Sequence, residues 1–247
     1  MKTSNKLLIS LLAVCLLTLV GSVMSLRAEH DKIDFNDPFY GFSTTPIKPF
    51  SVLKIEGIKL GGLSTGAVRI EPEKGPSNSG DSYTTVGIEA GKTFEIRVQK
   101  DNIIPFTHRV MGDTLIVRYE PEFYYRRIRG GDAFDNKPFV YIIAPSIRTL
   151  IATASTCKLA GLTTDKLAIT MTNARVLISK STISDLTTTG QRGSLLQTAK
   201  TNRINTAMVA SYDSTGFIAD HDIFGSLALQ NDSTATLKIP ASLLKKL

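Results

Sequence analysis

Leu7–Leu26 runs for 20 residues without a charge, directly after the short basic start Met1–Lys6. Coiled as a helix, such a run crosses the hydrocarbon layer, and its basic flank stays on the cytoplasmic side. The same segment has the form of a secretory signal peptide with a long apolar region. Val23 and Ser25 are small enough for cleavage after Ser25, although no A-x-A pattern precedes it, and Leu12-Ala13-Val14 before Cys15 makes a poor lipoprotein box. Residues 1–28 are therefore expected to be a signal peptide or an uncleaved transmembrane anchor. Either way, the rest of the chain is placed outside the cytoplasm.

Beyond this segment the apolar period changes from helical to alternating. Residues 29–49 carry Pro38, Pro46, Pro49 and Gly41 among scattered aromatics, the pattern of a linker. From residue 50 to 145, short alternating runs are punctuated by Gly, Pro and Asn/Asp/Ser clusters. The strands expected there are Phe50–Ile55, Ala67–Ile70, Thr85–Glu89, Phe94–Val98, Thr114–Tyr119 and Phe139–Ala144, with Met111-Gly112-Asp113-Thr114 as a turn. No glutamate follows Glu122, and 27 of residues 146–240 are Ser or Thr. With good helix formers missing and β-branched residues abundant, that region is also expected to be β.

Segments starting at Leu150, Leu167, Leu186 and Leu227 share one plan: an alternating strand, a small polar turn, then a second alternating strand. Cys157, Ala174, Gly193, Ser214 and Thr234 fall at matching turn positions, separated by 17, 19, 21 and 20 residues. A period of about 20 residues with two short strands per unit predicts a β-solenoid over 146–240. Leu150, Leu167, Ile169, Met171, Leu186, Leu227 and Leu229 would stack in its interior. An antiparallel sandwich is the alternative, since alternating strands with regular turns suit both folds. Residues 241–247 are left as a tail.

Composition and charge narrow the functional classes. The net charge is +7, of which Lys2, Lys6 and Arg27 supply +3, leaving a mild +4 on the remainder. That balance and the exported placement argue against nucleic acid as a partner. Outside the export segment Cys157 is the sole cysteine, so no intramolecular disulfide forms, and a buried packing role suits it. His30, His108 and His221 are too dispersed for a compact metal motif, and His108 reads as a packing or surface residue in a strand-like stretch. Ser211 and Ser214 lack a nucleophile-elbow context, and Asn231-Asp232-Ser233 fits a glycosylation sequon only formally. No catalytic, cofactor-binding or metal-binding residue is assigned.

Two clusters hold chemistry worth placing. Asp213, Asp220, His221 and Asp222 lie within ten residues, but calcium needs six to eight oxygens and alternation separates His221 from its neighbours. A solvated turn is the expectation. Tyr124, Tyr125, Arg126, Arg127 and Arg129 mix aromatic faces with guanidinium forks, a combination that suits anionic sugars or lipid headgroups. They form the candidate contact surface.

Phe50-Ser-Val-Leu-Lys-Ile, Ala67-Val-Arg-Ile-Glu-Pro, Met111-Gly-Asp-Thr-Leu-Ile-Val and Val140-Tyr-Ile-Ile-Ala-Pro-Ser-Ile-Arg-Thr-Leu resemble the bacterial "putative auto-transporter adhesin, head GIN domain" family. The resemblance covers about residues 50–240. It implies a right-handed parallel β-helix, similar in shape to pectin lyases but without their catalytic residues, and a role in adhesion at the envelope. Family members tend to carry Gly-Ser-Gly turns. Here the matching triplets are Ser155-Thr156-Cys157, Asn173-Ala174-Arg175, Arg192-Gly193-Ser194 and Asp213-Ser214-Thr215. The expectation is thus an all-β, right-handed parallel β-helix (β-solenoid) preceded by one apolar helix. Its role is a non-enzymatic adhesin-like or scaffolding one, with glycans or other envelope components as partners. It sits in the inner membrane facing the periplasm, or is exported after cleavage. A polysaccharide-binding or lyase-like protein on the same fold is the alternative.

Overall fold

The computed structural model describes residues 3–34, 37–60, 82–100, 105–120 and 134–244. It divides into two compact units, Met1–Phe42 and Ser43–Leu247. The first is dominated by α1 (Thr3–His30), whose 28 residues span about 42 Å. Leu8–His30 is long and apolar enough to cross a membrane, with a mean hydropathy of 2.4. Three of its hydroxyls turn back onto the helix: Ser10 Oγ donates to Lys6 O at 2.9 Å, Thr18 Oγ1 to Cys15 O at 2.9 Å, and Ser22 Oγ to Thr18 O at 2.8 Å. That internal pairing removes the cost of placing them in lipid.

The second unit is β. Its early strands are β1 (Phe42–Pro46), β2 (Val52–Glu56), β3 (Lys59–Leu60), β4 (Ser82–Ala90), β5 (Glu95–Gln99), β6 (Phe106–Met111), β7 (Thr114–Tyr119) and β8 (Val140–Ala144). The later ones are β9 (Thr149–Thr153), β10 (Ser155–Ala160), β11 (Thr163–Thr172), β12 (Arg175–Ser179), β13 (Thr182–Gln191), β14 (Leu195–Thr198), β15 (Arg203–Ser211), β16 (Gly216–Ala219), β17 (Phe224–Asn231) and β18 (Thr236–Lys238). A four-residue helix α2 (Ala241–Leu244) follows.

These strands form two sheets, one ordered β1-β5-β8-β4-β10-β12-β14-β16-β18 with β3 beside β4, the other β17-β15-β13-β11-β9-β2-β7-β6. Both are mixed. β5 pairs antiparallel with β8, β6 with β7 and β3 with β4, while β9 to β18 pair only in parallel. This corrects the expectation of a simple right-handed parallel β-helix. The antiparallel pairing has a local cause at β6–β7: the turn at Gly112 (φ 60°) and Asp113 joins Met111 directly to Thr114, and a connection that short can only reverse the chain. The parallel neighbours, in contrast, come from distant segments, as where β2 lies between β7 and β9.

The inward faces of both sheets share one core. In one sheet Leu115, Leu53, Leu150, Ile169, Thr188, Val209 and Leu229 stand in register across seven strands. In the other, Val98, Val140, Val86, Cys157, Val176, Leu196, Phe217 and Leu237 do the same. Cys157 therefore sits within β10 and is fully buried, not at a turn as its spacing suggested. The left-handed backbone falls instead on Ala154, Asn173, Arg192, Gly193, Asp213 and Ser214. Leu243 of α2, in the stretch expected to be a tail, is fully buried against the same core.

Candidate binding surfaces

Alternation puts every second residue of the later strands on an outer face. On β9, β11, β13, β15 and β17 the ladders at outward positions read Thr149–Ala168–Thr187–Met208–Ala228 and Ile151–Thr170–Thr189–Ala210–Gln230, Ala210 being buried where the second reaches β15. Thr153–Thr172–Gln191 continues the field towards one margin, and Lys166–Asp185–Thr206–Ser226 towards the other. Neighbouring strands stand about 4.8 Å apart, and residues two apart on one strand about 6.6 Å. The outcome is a field of threonine hydroxyls and methyls, strand-compatible side chains that need no burial.

The early strands add charge at the end of this face. Glu56 lies beside Arg118 in the register of β2 and β7, and Lys54 Nζ approaches it at 2.8 Å. The Arg118 guanidinium, followed by the Lys54 ammonium, holds the Glu56 carboxyl below its ordinary range. On the opposite sheet, Tyr141 lies so close to Gly87 that an added Cβ would come within 2.3 Å of its ring. Burial there pushes both the Tyr141 phenol and the neighbouring Glu89 carboxyl up. Burial also pushes the Cys157 thiol up to about 12, so it stays protonated and unreactive at neutral pH.

The remaining sequence candidates scatter. Asp213 (φ 52°) occupies the corner before β16, where its N–H donates to Asp232 Oδ2 at 2.7 Å. Asp220, His221 and Asp222 are exposed at the other end of that strand. Four extended residues put about 13 Å between the two ends, so the cluster adjacent in sequence does not converge in space. Among the described residues no group of three or more His, Cys, Asp or Glu side chains is placed to hold a metal ion. His108 is exposed on the edge strand β6, its ring 6.1 Å from that of Phe106. Ser211 is buried on β15 and Ser214 lies in a corner, its N–H donating to Thr234 Oγ1 at 2.7 Å. Tyr124, Tyr125, Arg126, Arg127 and Arg129 lie outside the described residues.

Asp232 and Thr234, read from the sequence only as part of a sequon and as a turn position, pair with the corner before β16. The Asp232 carboxylate accepts from the Asp213 N–H, the Thr234 hydroxyl and the Thr234 N–H, and these bonds hold it below its ordinary range. An Asp-x-Thr turn about 20 residues after another Asp turn was the available signal.

No family model matches the sequence, and no curated protein does. Among solved structures, the chain is similar to a "putative adhesin" from Bacteroides fragilis, with 13% identity and a TM-score of 0.45 over 81% of this chain and 96% of that one. It is also similar to a "putative lipid binding protein" from Parabacteroides distasonis, with 8% identity and a TM-score of 0.36 over 81% and 96% of the two chains. A "putative adhesin" from Parabacteroides merdae matches with 10% identity and a TM-score of 0.31 over 81% and 95%. These likenesses place the chain in no family.

Proposed function

We propose that the chain is a non-enzymatic, adhesin-like envelope protein, held by α1 and presenting the threonine face of β9, β11, β13, β15 and β17 to other envelope components or glycans. The observation that carries this reading is the threonine field itself. A surface of regularly spaced hydroxyls and methyls, with charge only at its margins, suits many weak contacts along an extended partner better than it suits chemistry on a single bond. The wide separation of Asp213 from Asp220–Asp222 supports this reading over a lyase-like one, because a catalytic base must lie within hydrogen-bond reach of its proton. The tyrosine and arginine run Tyr124–Arg129 belongs to the proposal as a second contact surface, on sequence grounds. Residues 1–28 act as anchor or cleaved signal, and the β unit faces the periplasm or the exterior.

The test uses beads coated with the full chain and panels of neutral and acidic polysaccharides. Retention on a polysaccharide without its cleavage is expected, with loss of retention in the Thr170→Lys/Thr189→Lys double variant. Release of unsaturated fragments from an acidic polysaccharide would overturn the reading. Mass spectrometry of the mature N-terminus distinguishes anchor from cleaved signal.

A further inference from the structure

Each sheet ends, on its late side, in a strand with one neighbour among the described residues: β17 beside β15, and β18 beside β16. The core is partly open there. Leu237 stands in register with Phe217 and Leu196, which are 0% and 1% exposed, yet it is itself 40% exposed. Leu229, beside the buried Val209, is half-buried, and Leu244 is exposed next to the buried Leu243. The opposite margins carry the residues that ordinarily guard an edge strand. β1 ends on Pro46, and β6 holds His108 and Arg109. β17, Phe-Gly-Ser-Leu-Ala-Leu-Gln-Asn, has neither charge nor proline over its eight residues.

We propose that this edge pairs with the same edge of a second copy of the chain, β17 antiparallel to β17 about a two-fold axis normal to the sheet. Three features point to a second copy. An antiparallel pair is self-complementary about such an axis, because opposite residues exchange equivalent hydrogen bonds. With no charge on β17, meeting its own copy sets no like charges opposite each other. The size also fits. Eight extended residues span about 26 Å, and two sheets about 10 Å apart, with their side chains, make an end face about 20 Å deep. Two such faces bury about 1,000 Å² in total, where specific interfaces begin, and Leu229 and Leu237 lie within that area. The pairing doubles the eight-stranded sheet, so the threonine face of one copy runs on into that of the other. The dimer itself does not depend on the adhesive role; only the gain in contacts along an extended partner rests on that reading.

The test puts one nitroxide spin label on the full chain in detergent micelles, in a Cys15→Ser background; Cys157 is buried. The label is carried by Met208→Cys, exposed on β15, or by Thr107→Cys, exposed on β6 at the far end of the same sheet. Dipolar spectroscopy then reads the distance between copies. With strands about 4.8 Å apart, the paired edges set the two 208 positions about 15 Å apart and the two 107 positions about 70 Å apart. The expected result is a short distance at 208 only, with sedimentation at twice the mass of the chain. Ser226→Lys/Ala228→Lys, at exposed positions of β17, sets like charges across the axis. It should abolish the short distance and halve the mass, with circular dichroism unchanged. Leu237→Gln, at a side chain already exposed, should raise the dissociation constant severalfold, and it decides the matter where the double variant fails to fold. Four results would each overturn the inference: a monomeric mass, a dimer without the short distance at 208, a short distance that survives the two lysines in a folded chain, or a constant unmoved by Leu237→Gln. A dimer without the short distance would be one joined elsewhere, as through α1.

Discussion

The early strands β1 to β8 and the later strands β9 to β18 share one core but are joined in different ways. Early strands include antiparallel pairs and carry ion pairs on their outer faces, Lys54–Glu56–Arg118 and Glu95–Arg97. The later strands pair only in parallel, among themselves with partners 19 to 21 residues apart, and their corners are held by side chains about 20 residues further along the chain. The Leu162 N–H donates to Ser181 Oγ, Ala174 N–H to Ser194 Oγ, Ser181 N–H to Asn202 Oδ1 and Lys180 N–H to Thr201 Oγ1. A turning backbone leaves amides that no strand can satisfy. A small polar side chain about 20 residues later satisfies them here. The Ser/Thr/Asn bias of the later region thus follows from its corners as well as from its outer face, and such side chains bind the backbone of Lys180, Asp213 and Ser214 in a left-handed conformation that would otherwise favour glycine.

The largest expected effect tests whether the two regions fold as one unit. Phe217 is fully buried in the later region and Ile142 fully buried in the early one. Phe217→Ala should cost about 3–5 kcal/mol and Ile142→Ala about 2–5 kcal/mol. With a shared core, each lowers the midpoint of a single denaturant transition. Two separated transitions, each sensitive to only one substitution, would break the comparison into two independent domains.

Next is the corner chemistry. Asn202 is 4% exposed; its Nδ2 donates to Ile178 O at 2.7 Å and to Ala199 O at 2.9 Å, and its Oδ1 accepts from the Ser181 N–H at 3.0 Å. Asn202→Ala strands buried backbone groups and should cost roughly 2–3 kcal/mol. The exposed Arg118, cut to Ala, should cost far less, as surface pairs do. Equal losses in urea titrations would show that the corners are not what holds the later strands together.

How much of this was legible follows from what alternation encodes. It reports which face of a strand is buried, so β7 was read at its observed bounds, and β2, β5 and β8 within two residues. It carries no information about partners, which is why the mixed sheets, with β2 between β7 and β9, could not be read. β1 and β6 present little buried apolar surface and left almost no pattern. Cys157 was expected to be buried, and is, but its spacing set it at a turn; only the register with Val86 and Val176 puts it inside a strand. The threonine field was visible as composition. The cations of the opposite sheet were not, because Lys158, Arg175 and Lys238 fall on one sheet face only once strands about 20 residues apart are paired.

A smaller effect has the opposite sign. Thr188 and Thr198 are fully buried in the later region, and neither hydroxyl has a hydrogen-bond partner among the described residues. Thr188 stands between Ile169 and Val209, and Thr198 between Ile178 and Ala219, so each places a polar atom in an apolar ladder. Replacing either by Val keeps the shape and removes an unsatisfied group, which should stabilise by about 1 kcal/mol. A loss of stability in either variant would mean that the hydroxyl holds an interior water.

The smallest effect separates the regions by acid titration. In the later region the Asp232 carboxyl is held low, first by the Asp213 N–H and then by Thr234. A lowered folded pKa gives stability that is complete above the ordinary aspartate range and is lost as pH falls through the folded value. In the early region Glu56 has the same sign, but burial raises Glu89, whose contribution is lost as pH rises from the ordinary glutamate range through its folded value. Early strands therefore carry opposed acids and partly cancel, while Asp232 acts unopposed by any neighbour at its corner. Against the parent chain, Asp232→Asn should lower the melting temperature at neutral pH, with the gap closing on acidification below the aspartate range. Glu89→Gln should raise it at neutral pH, with that gap also closing towards acid. Melting curves measured from neutral pH downward check both; a gap for Asp232→Asn that does not change with pH would mean that its corner is held by geometry alone, without help from the charge.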